Sequence, residues 1–195
     1  MNTPVMTKCV QFYSQAAYFL EAAMAVTKDV AANKHMNPLA YSNYEAVIVG
    51  THHAFAMEIM LKGYILFHAG TYPYEHRINE LMDDPACCQL KKDIQKKFER
   101  SHPYASTETQ INAALDCYVL DLDQGKKEDR KEEQNIRNIR RNAAFGTFDY
   151  FLKLHSNHFV RMRYACEKLP PPLDMTFTSF LCSELRDALK VTLNL

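Results

Sequence analysis

The sequence has few helix-breaking residues and none of the common signatures of nucleotide or hydrolase chemistry. Only 5 of its 195 residues are glycine. So little glycine argues against a turn-rich β architecture, whereas 9 methionines and many Ala and Leu residues favour helices. The Walker A, dinucleotide-binding, nucleophile-elbow and zinc-protease motifs are all absent from the sequence. We therefore expect an all-α protein, and the chemistries that those motifs support are not indicated.

The chain also lacks net charge, because 23 basic residues balance 23 acidic ones. Any attraction to nucleic acid or to an acidic membrane must then come from a local patch. Polar residues occur throughout the first fifteen positions, which contain no signal-peptide core. The apolar stretch 37–70 is long enough to cross a bilayer, but it would carry four polar side chains into lipid: His52, His53, Glu58 and Lys62. We expect a cytoplasmic protein with no membrane partner.

No arrangement of cysteine or histidine indicates a metal site. The six cysteines lack a C-x-x-C pair and fall mostly in predicted helices, which predicts buried, reduced thiols. His155 and His158 have a spacing at which two side chains share a metal, but no third ligand follows from the sequence. We expect neither a metal nor a cofactor.

The stretch 37–70 is the longest apolar segment, and it predicts one long helix. Asn37 is a suitable cap and Pro38 suits the first turn, while Gly70 and Pro73 indicate the end. Apolar residues occupy nearly every angular position of this helix, so other helices should surround it. It should be the central post of a bundle.

Apolar residues recur at helical spacing in the rest of the chain. They predict helices over about 3–33 and 176–193, a short helix around Ile78, and a helix that begins after Asp84 and Pro85. The capping-box pair Thr107 and Gln110 predicts another helix, which ends by Gly125. A long amphipathic helix is predicted across 135–169, and the polar stretch 124–134 before it is either a loop or an exposed first turn. A rigid spacer of three prolines follows at 170–172. The length fits a single domain, 1–195.

Two predicted helices each have a basic face. One comprises Lys91, Lys92, Lys96, Lys97 and Arg100, and the other comprises Arg130, Glu133, Arg137, Arg140 and Arg141. Two interpretations stay open for both faces, namely a solvated surface or a stripe that contacts phosphates.

Glu58 and Lys62 have the spacing and order that favour a helical ion pair. On so apolar a helix the pair should be partly buried, which requires mutual compensation or further polar partners. The segment MEIMLKGYILFHAG, followed by a short turn and YEHRINELM, resembles the second helix and following turn of HEPN domains. These are small helical bundles of prokaryotic toxin, phage-defence and nucleotidyltransferase-associated proteins. The resemblance covers about 43–82 and implies an HEPN-like up-down helical bundle with extra short helices and a C-terminal helix.

Many active HEPN proteins are ribonucleases that cut at a dimer interface with an R-x4-6-H motif. The matching segment here is IRRNAAFG, with Arg140 and Gly146 in the motif's positions and Phe145 where its histidine should be. Imidazole moves a proton near neutral pH, and phenylalanine cannot. Arg140, with Arg141 and Asn142 beside it, would still hold a phosphate. The resemblance therefore implies binding more than cleavage.

Three hypotheses follow from the resemblance. The first is a non-cleaving HEPN-like homodimer, joined through the helices flanking Arg140, that binds RNA, a nucleotide or a partner protein in a toxin–antitoxin or defence setting. The second is a metal-independent ribonuclease that takes its base from His102, His155 or His158. The third is a helper subunit that docks substrate for a separate nucleotidyltransferase beside Glu58. No catalytic residue is assigned, and the candidate binding residues are Glu58, Lys62, His76, Arg137, Arg140, Arg141 and Asn142. We expect His76 to fix its turn by hydrogen bonding.

Overall fold

The computed structural model describes residues 3–33, 44–123, 127–156, 161 and 172–195. Its helices are α1 (Thr3–Asn33), α2 (Tyr44–Ala69), α3 (Ile78–Met82), α4 (Cys88–Ser101), α5 (Glu108–Asp123), α6 (Lys127–Asn142), α7 (Phe148–Leu154) and α8 (Met175–Leu193). A 3-10 turn, Pro85–Cys87, precedes α4. These ranges contain no strand, which confirms the all-α prediction for the described part of the chain. None of the helices described there is long and apolar enough to cross a membrane.

Helix α2 is the central element, as predicted. It packs against α1, α3, the 3-10 turn and α8, and it buries apolar side chains in every direction, among them Val49, Met57, Leu61 and Ile65. Gly63 lets its neighbours approach closely, because a Cβ atom there would lie 3.2 Å from the Cβ of Phe12 on α1 and 3.3 Å from Leu189 on α8. The chain leaves the helix at Gly70, which has a φ of +74°. The predicted start at Asn37 and Pro38 lies outside the described residues.

The predicted cap of α5 is confirmed, whereas the cap predicted for the helix after Asp84 belongs to the 3-10 turn before α4. Asp84 accepts a hydrogen bond from the backbone N–H of Ala86, 2.9 Å away, at the start of the 3-10 turn. Thr107 and Gln110 form the reciprocal capping box that begins α5. The short helix α3 buries Ile78, Leu81 and Met82, as its spacing predicts.

The single helix predicted across 135–169 is wrong. Helix α6 ends at Asn142 and α7 begins at Phe148. Gly146, between them, has a φ of +84°, and the Thr147 hydroxyl caps α7 by accepting from the backbone N–H of Tyr150. A left-handed residue followed by a new cap ends one helix and starts another. Residues 157–160 and 162–171, which include Pro170 and Pro171 of the predicted spacer, lie outside the described residues.

The prediction of buried cysteines holds for only part of the set. Cys9, Cys87 and Cys182 are buried, and burial raises the pKa of the Cys87 thiol to about 12. Cys88 and Cys117 are exposed, which the prediction missed. Each sits next to a buried residue, and one step along a helix turns a side chain by about 100° away from the core. Cys166 lies outside the described residues.

The buried residues form one large cluster and one small one. The large cluster includes a group of packed rings contributed by α4, α7 and α8: Phe98, Phe148, Phe151 and Phe177. The segment between α4 and α5 adds Tyr104, which stacks on Phe151 with ring centroids 4.8 Å apart. This aromatic group positions the break between α6 and α7, where the resemblance places the motif.

Candidate functional site

Glu58, Lys62 and His76 form one hydrogen-bonded cluster. The Nζ of Lys62 lies 2.8 Å from Oε1 of Glu58, and Nδ1 of His76 lies 2.9 Å from the same oxygen. The side chains of Glu58 and Lys62 are 9% and 11% exposed, so the expected burial of the pair is confirmed. His76 belongs to the turn after α2 and is bound to α2 by this contact, as predicted. The cluster holds the turn between α2 and α3 in place.

The second carboxylate oxygen of Glu58, Oε2, is buried and has no hydrogen-bond partner among the described residues. Lys62 and His76 both contact the other oxygen, Oε1. A buried polar atom without a partner is uncommon in folded proteins, because it loses its hydrogen bonds to water without replacement. The carboxylate is therefore strongly dependent on its two donors, and removing Lys62 would leave a buried charge with only His76 beside it.

Acidic side chains of α6 lie on its buried side, and basic side chains lie on its exposed side. Asp129 and Glu132 are buried, and Nη1 of Arg161 lies 2.6 Å from Oδ1 of Asp129. On the outside, Arg130, Arg137 and Arg141 are exposed, and we call these three residues the α6 basic face. Because the two acidic residues point inward, this face is more basic than the composition of the helix suggests.

The α6 basic face has few compensating acids around it. The only described contact of its arginines with a carboxylate joins Nε of Arg137 to the partly buried Glu133 at 2.7 Å. The rest of the exposed surface described for α6 carries Lys131, Arg140 and four amides, namely Gln134, Asn135, Asn138 and Asn142. The surface therefore combines cations with neutral groups that donate and accept hydrogen bonds.

Arg140 differs from the other arginines of α6. Its Nη1 lies 2.5 Å from Oδ1 of Asp116 on α5, so its charge is matched by a carboxylate within the same molecule. It also lies close enough to Tyr150 to act on that phenol. Burial raises the pKa of Tyr150 to about 12, and the charge of Arg140 acts in the opposite direction. A phosphate at Arg140 would have to compete with Asp116.

Phe145 is part of the aromatic packing. Its ring meets Tyr104, Tyr150 and Phe151 with centroid distances of 5.8, 5.3 and 5.6 Å. The position that the resemblance assigns to the histidine of the R-x4-6-H motif is thus filled by a structural ring. Gly146 is close by, because a Cβ atom there would lie 3.2 Å from the hydroxyl of Tyr104.

The histidines considered as alternative bases lie in different environments. His155 is buried, with Nδ1 2.6 Å from the carbonyl oxygen of Phe151 and Nε2 accepting from the N–H of Asp174 at 2.8 Å. Burial lowers its pKa to about 4, so the ring is neutral and both nitrogens are engaged. His102 is exposed at the end of α4, with its ring edge-on to Tyr104. His158 lies outside the described residues.

His53 is also buried. Its Nδ1 lies 3.0 Å from the hydroxyl oxygen of Thr178 on α8, and burial, reinforced by neighbouring His52, lowers its pKa to about 4. It is a packing histidine that links α2 to α8. Among the described residues, no three His, Cys, Asp or Glu side chains are arranged to hold a metal ion.

The predicted site residues therefore fall into two groups on different elements. Glu58, Lys62 and His76 lie on α2 and its following turn, whereas Arg137, Arg140, Arg141 and Asn142 lie on α6. Sequence reasoning missed the inward orientation of Asp129 and Glu132. The signal was present, because these residues share a helical face with the two buried isoleucines of α6, Ile136 and Ile139.

No family model, curated protein or solved structure matches the chain.

Proposed function

We propose that the protein is an HEPN-like helical domain that binds RNA through the α6 basic face and does not cut it. The observation that carries the proposal is the sorting of charge on α6, where Asp129 and Glu132 are buried and three arginines are exposed. The HEPN part rests on the resemblance of the stretch around Glu58 and His76. A toxin–antitoxin or defence setting rests on the same resemblance.

The geometry of the face suits a nucleic-acid strand. Arg130 and Arg141 are eleven residues apart on one helix, which corresponds to about 16 Å at 1.5 Å per residue. Arginines spread over this length would contact phosphates along one strand, and the amides between them would reach base edges or 2′-hydroxyls. A surface made of cations and amides favours RNA over an apolar partner.

The residues around Arg140 do not favour cleavage of RNA. Phe145 has no group that can move a proton, and it is packed among three other aromatic rings. Arg140 is matched by Asp116. His155 is neutral and fully engaged within the core. Arg140 and Phe145 are therefore assigned a structural role, and RNA binding is assigned to the exposed arginines of the α6 basic face.

The test compares two triple variants that remove the same number of exposed charges. One is R130A/R137A/R141A on α6, and the control replaces Lys92, Lys96 and Arg100 on α4 with alanine. Binding of a fluorescein-labelled single-stranded RNA is measured by fluorescence anisotropy at several salt concentrations. Each lost phosphate contact reduces the slope of log K against log salt by about 0.7, so the α6 variant should lower the slope by about 2. The α4 variant should leave it unchanged.

Two results would overturn the proposal. The first is an equal loss of RNA binding in both triple variants, which would mean that net charge alone matters. The second is cutting of the RNA by the wild-type protein without metal, together with loss of that cutting in Arg140→Ala. In that case His102 becomes the candidate base, because its ring packs against Tyr104, which in turn contacts Phe145. The variant His102→Ala would then abolish cutting as well.

A further inference from the structure

A groove of about 320 Å³ lies between α4 and α8, on elements that contribute nothing to the α6 basic face. Lys97, near the end of α4, lies 2.5 Å from Glu184 at the middle of α8, and Leu90 and Val191 also line the groove. The groove therefore follows about two helical turns of each wall, or about 10 Å.

The floor of the groove is apolar and one of its side chains is unusually open. Leu90 and Ile94 come from α4, and Ala188 and Val191 come from α8. Val191 is 76% exposed, the second highest value among the large hydrophobic residues that are exposed in the described ranges. Leu90 and Ile94 are four residues apart on α4, and Ala188 and Val191 are three residues apart on α8, so each wall presents one helical turn of apolar side chains to a third helix.

The rim of the groove is acidic. Asp93, Glu184 and Asp187 line it with three carboxylates, against the single ammonium group of Lys97. Lys97 is paired with Glu184, and Nε of Arg186, beside the groove, lies 3.4 Å from Oδ1 of Asp187, so the three carboxylates and two cations together carry a net charge of −1. Asp93 and Asp187 are exposed at the rim, where Asp93 accepts a hydrogen bond from the side-chain amide of Gln89. An apolar floor with an acidic rim is complementary to an apolar stripe flanked by lysine or arginine.

We propose that the α4–α8 groove docks an amphipathic helix of a partner protein whose apolar stripe is flanked by basic residues. The proposal does not depend on RNA binding, because it uses different helices. The α6 basic face of a second copy fits less well, since its exposed neighbours are polar and it offers no apolar stripe for the floor. The occupant is therefore a helix that supplies leucine-like side chains together with positive charge.

The probe is a fluorescein-labelled synthetic helix with leucines at i, i+3, i+4 and i+7 and lysines on both flanks. A matched peptide carries glutamate at every lysine position. Binding to the full chain is measured by fluorescence anisotropy. The lysine peptide should bind saturably, and the glutamate peptide should bind at least about tenfold more weakly, because its charges have the same sign as the rim.

Two variants locate the binding. D93N/D187N removes two exposed rim charges while keeping side-chain shape, and V191S removes apolar area from the floor. Each should weaken the lysine peptide, the first by about tenfold, which corresponds to two partly screened ion pairs. The control E21Q/E108Q removes two exposed carboxylates from α1 and α5 and should leave binding unchanged. Circular dichroism confirms that all variants keep their helices.

Three results would overturn the inference. The first is the absence of saturable binding of the lysine peptide to the wild-type chain. The second is an equal loss of affinity in D93N/D187N and E21Q/E108Q, which would show that total charge governs binding. The third is self-association of the wild-type chain that V191S abolishes, because the groove would then be an interface between copies of this protein.

Discussion

Asp174 gives a sharp test of how the C-terminal helix is held. Its buried carboxylate accepts three backbone hydrogen bonds. Oδ1 accepts from Phe177 in the first turn of α8 at 3.0 Å, whereas Oδ2 accepts from Ala105 at 3.1 Å and from Ser106 at 2.9 Å. One side chain therefore caps α8 and also binds the segment between α4 and α5. The two tasks use different oxygens, so a single substitution can separate them.

The informative change is Asp174→Asn. Asparagine caps a helix about as well as aspartate, so the bond to Phe177 is kept. The amide nitrogen would replace Oδ2 and would face the N–H groups of Ala105 and Ser106, which are donors too. Two hydrogen bonds to a charged acceptor are lost, each contributing about 1.5–3 kcal/mol. We expect the free energy of unfolding to fall by about 3 kcal/mol, a large share of the 5–15 kcal/mol that is typical of folded proteins.

Urea unfolding followed by far-ultraviolet circular dichroism measures this loss, since the described chain is helical and the sequence contains no tryptophan. With a slope of about 2 kcal/mol per M, the midpoint should fall by about 1.5 M. The matched control is Asp84→Asn, because the Asp84 side chain caps its turn through one bond, to Ala86. The control should change stability by less than about 0.5 kcal/mol. Equal midpoints for the two variants would refute the reasoning.

Two further predictions concern buried polar groups. The pKa values of His53 and His155 are lowered from 6.5 to about 4, because burial disfavours the charged ring. Folding therefore keeps both rings neutral, and the free energy of unfolding should be unaffected by them above about pH 6.5 and should fall as the pH drops towards 4. At pH 5 each histidine should lower the free energy of unfolding by about 2 kcal/mol, as measured by urea unfolding. The variant His155→Gln should lose less stability between pH 7 and pH 5 than the wild type, and an equal loss would contradict a buried, neutral His155. Glu58→Leu should destabilise by about 3–5 kcal/mol because Lys62 is left buried and unpaired, whereas E58L/K62L should recover most of that loss. A double variant as unstable as the single one would show that the ion pair is not what Glu58 contributes.

The helices were predictable where local chemistry fixes their ends. The capping box at Thr107 and the glycine stop at Gly70 are short-range signals, and both were confirmed. The break between α6 and α7 was missed because apolar residues continue across it. Phe148 and Phe151 keep a helical spacing, so the periodicity gave no sign that Gly146 has a positive φ. Glycine adopts either sign of φ readily, so the spacing of its neighbours does not reveal which sign it takes.

Some contacts of the candidate site follow from local spacing in the sequence, and others join residues that are far apart in the chain. Glu58 and Lys62 are one helical turn apart, so their contact follows from spacing alone. The ion pair of Arg140 with Asp116 joins residues that are 24 positions apart on two helices. No local rule identifies such a partner among the many carboxylates of the chain. As a result, the resemblance directed attention to an arginine whose charge is already matched.

The sorting of charge on α6 explains how a chain with no net charge can offer a basic surface. Asp129 and Glu132 share the face of Ile136 and Ile139, so burying the isoleucines also removes two negative charges from solvent. The positive charges stay outside because Arg130 and Arg137 point away from that face. Counting charges along the sequence gives only a polar segment, whereas the helical period separates an acidic inner side from a basic outer side. If the outer side binds RNA, the salt dependence of binding will report the few arginines of α6, and the overall charge of the chain will have little influence on it.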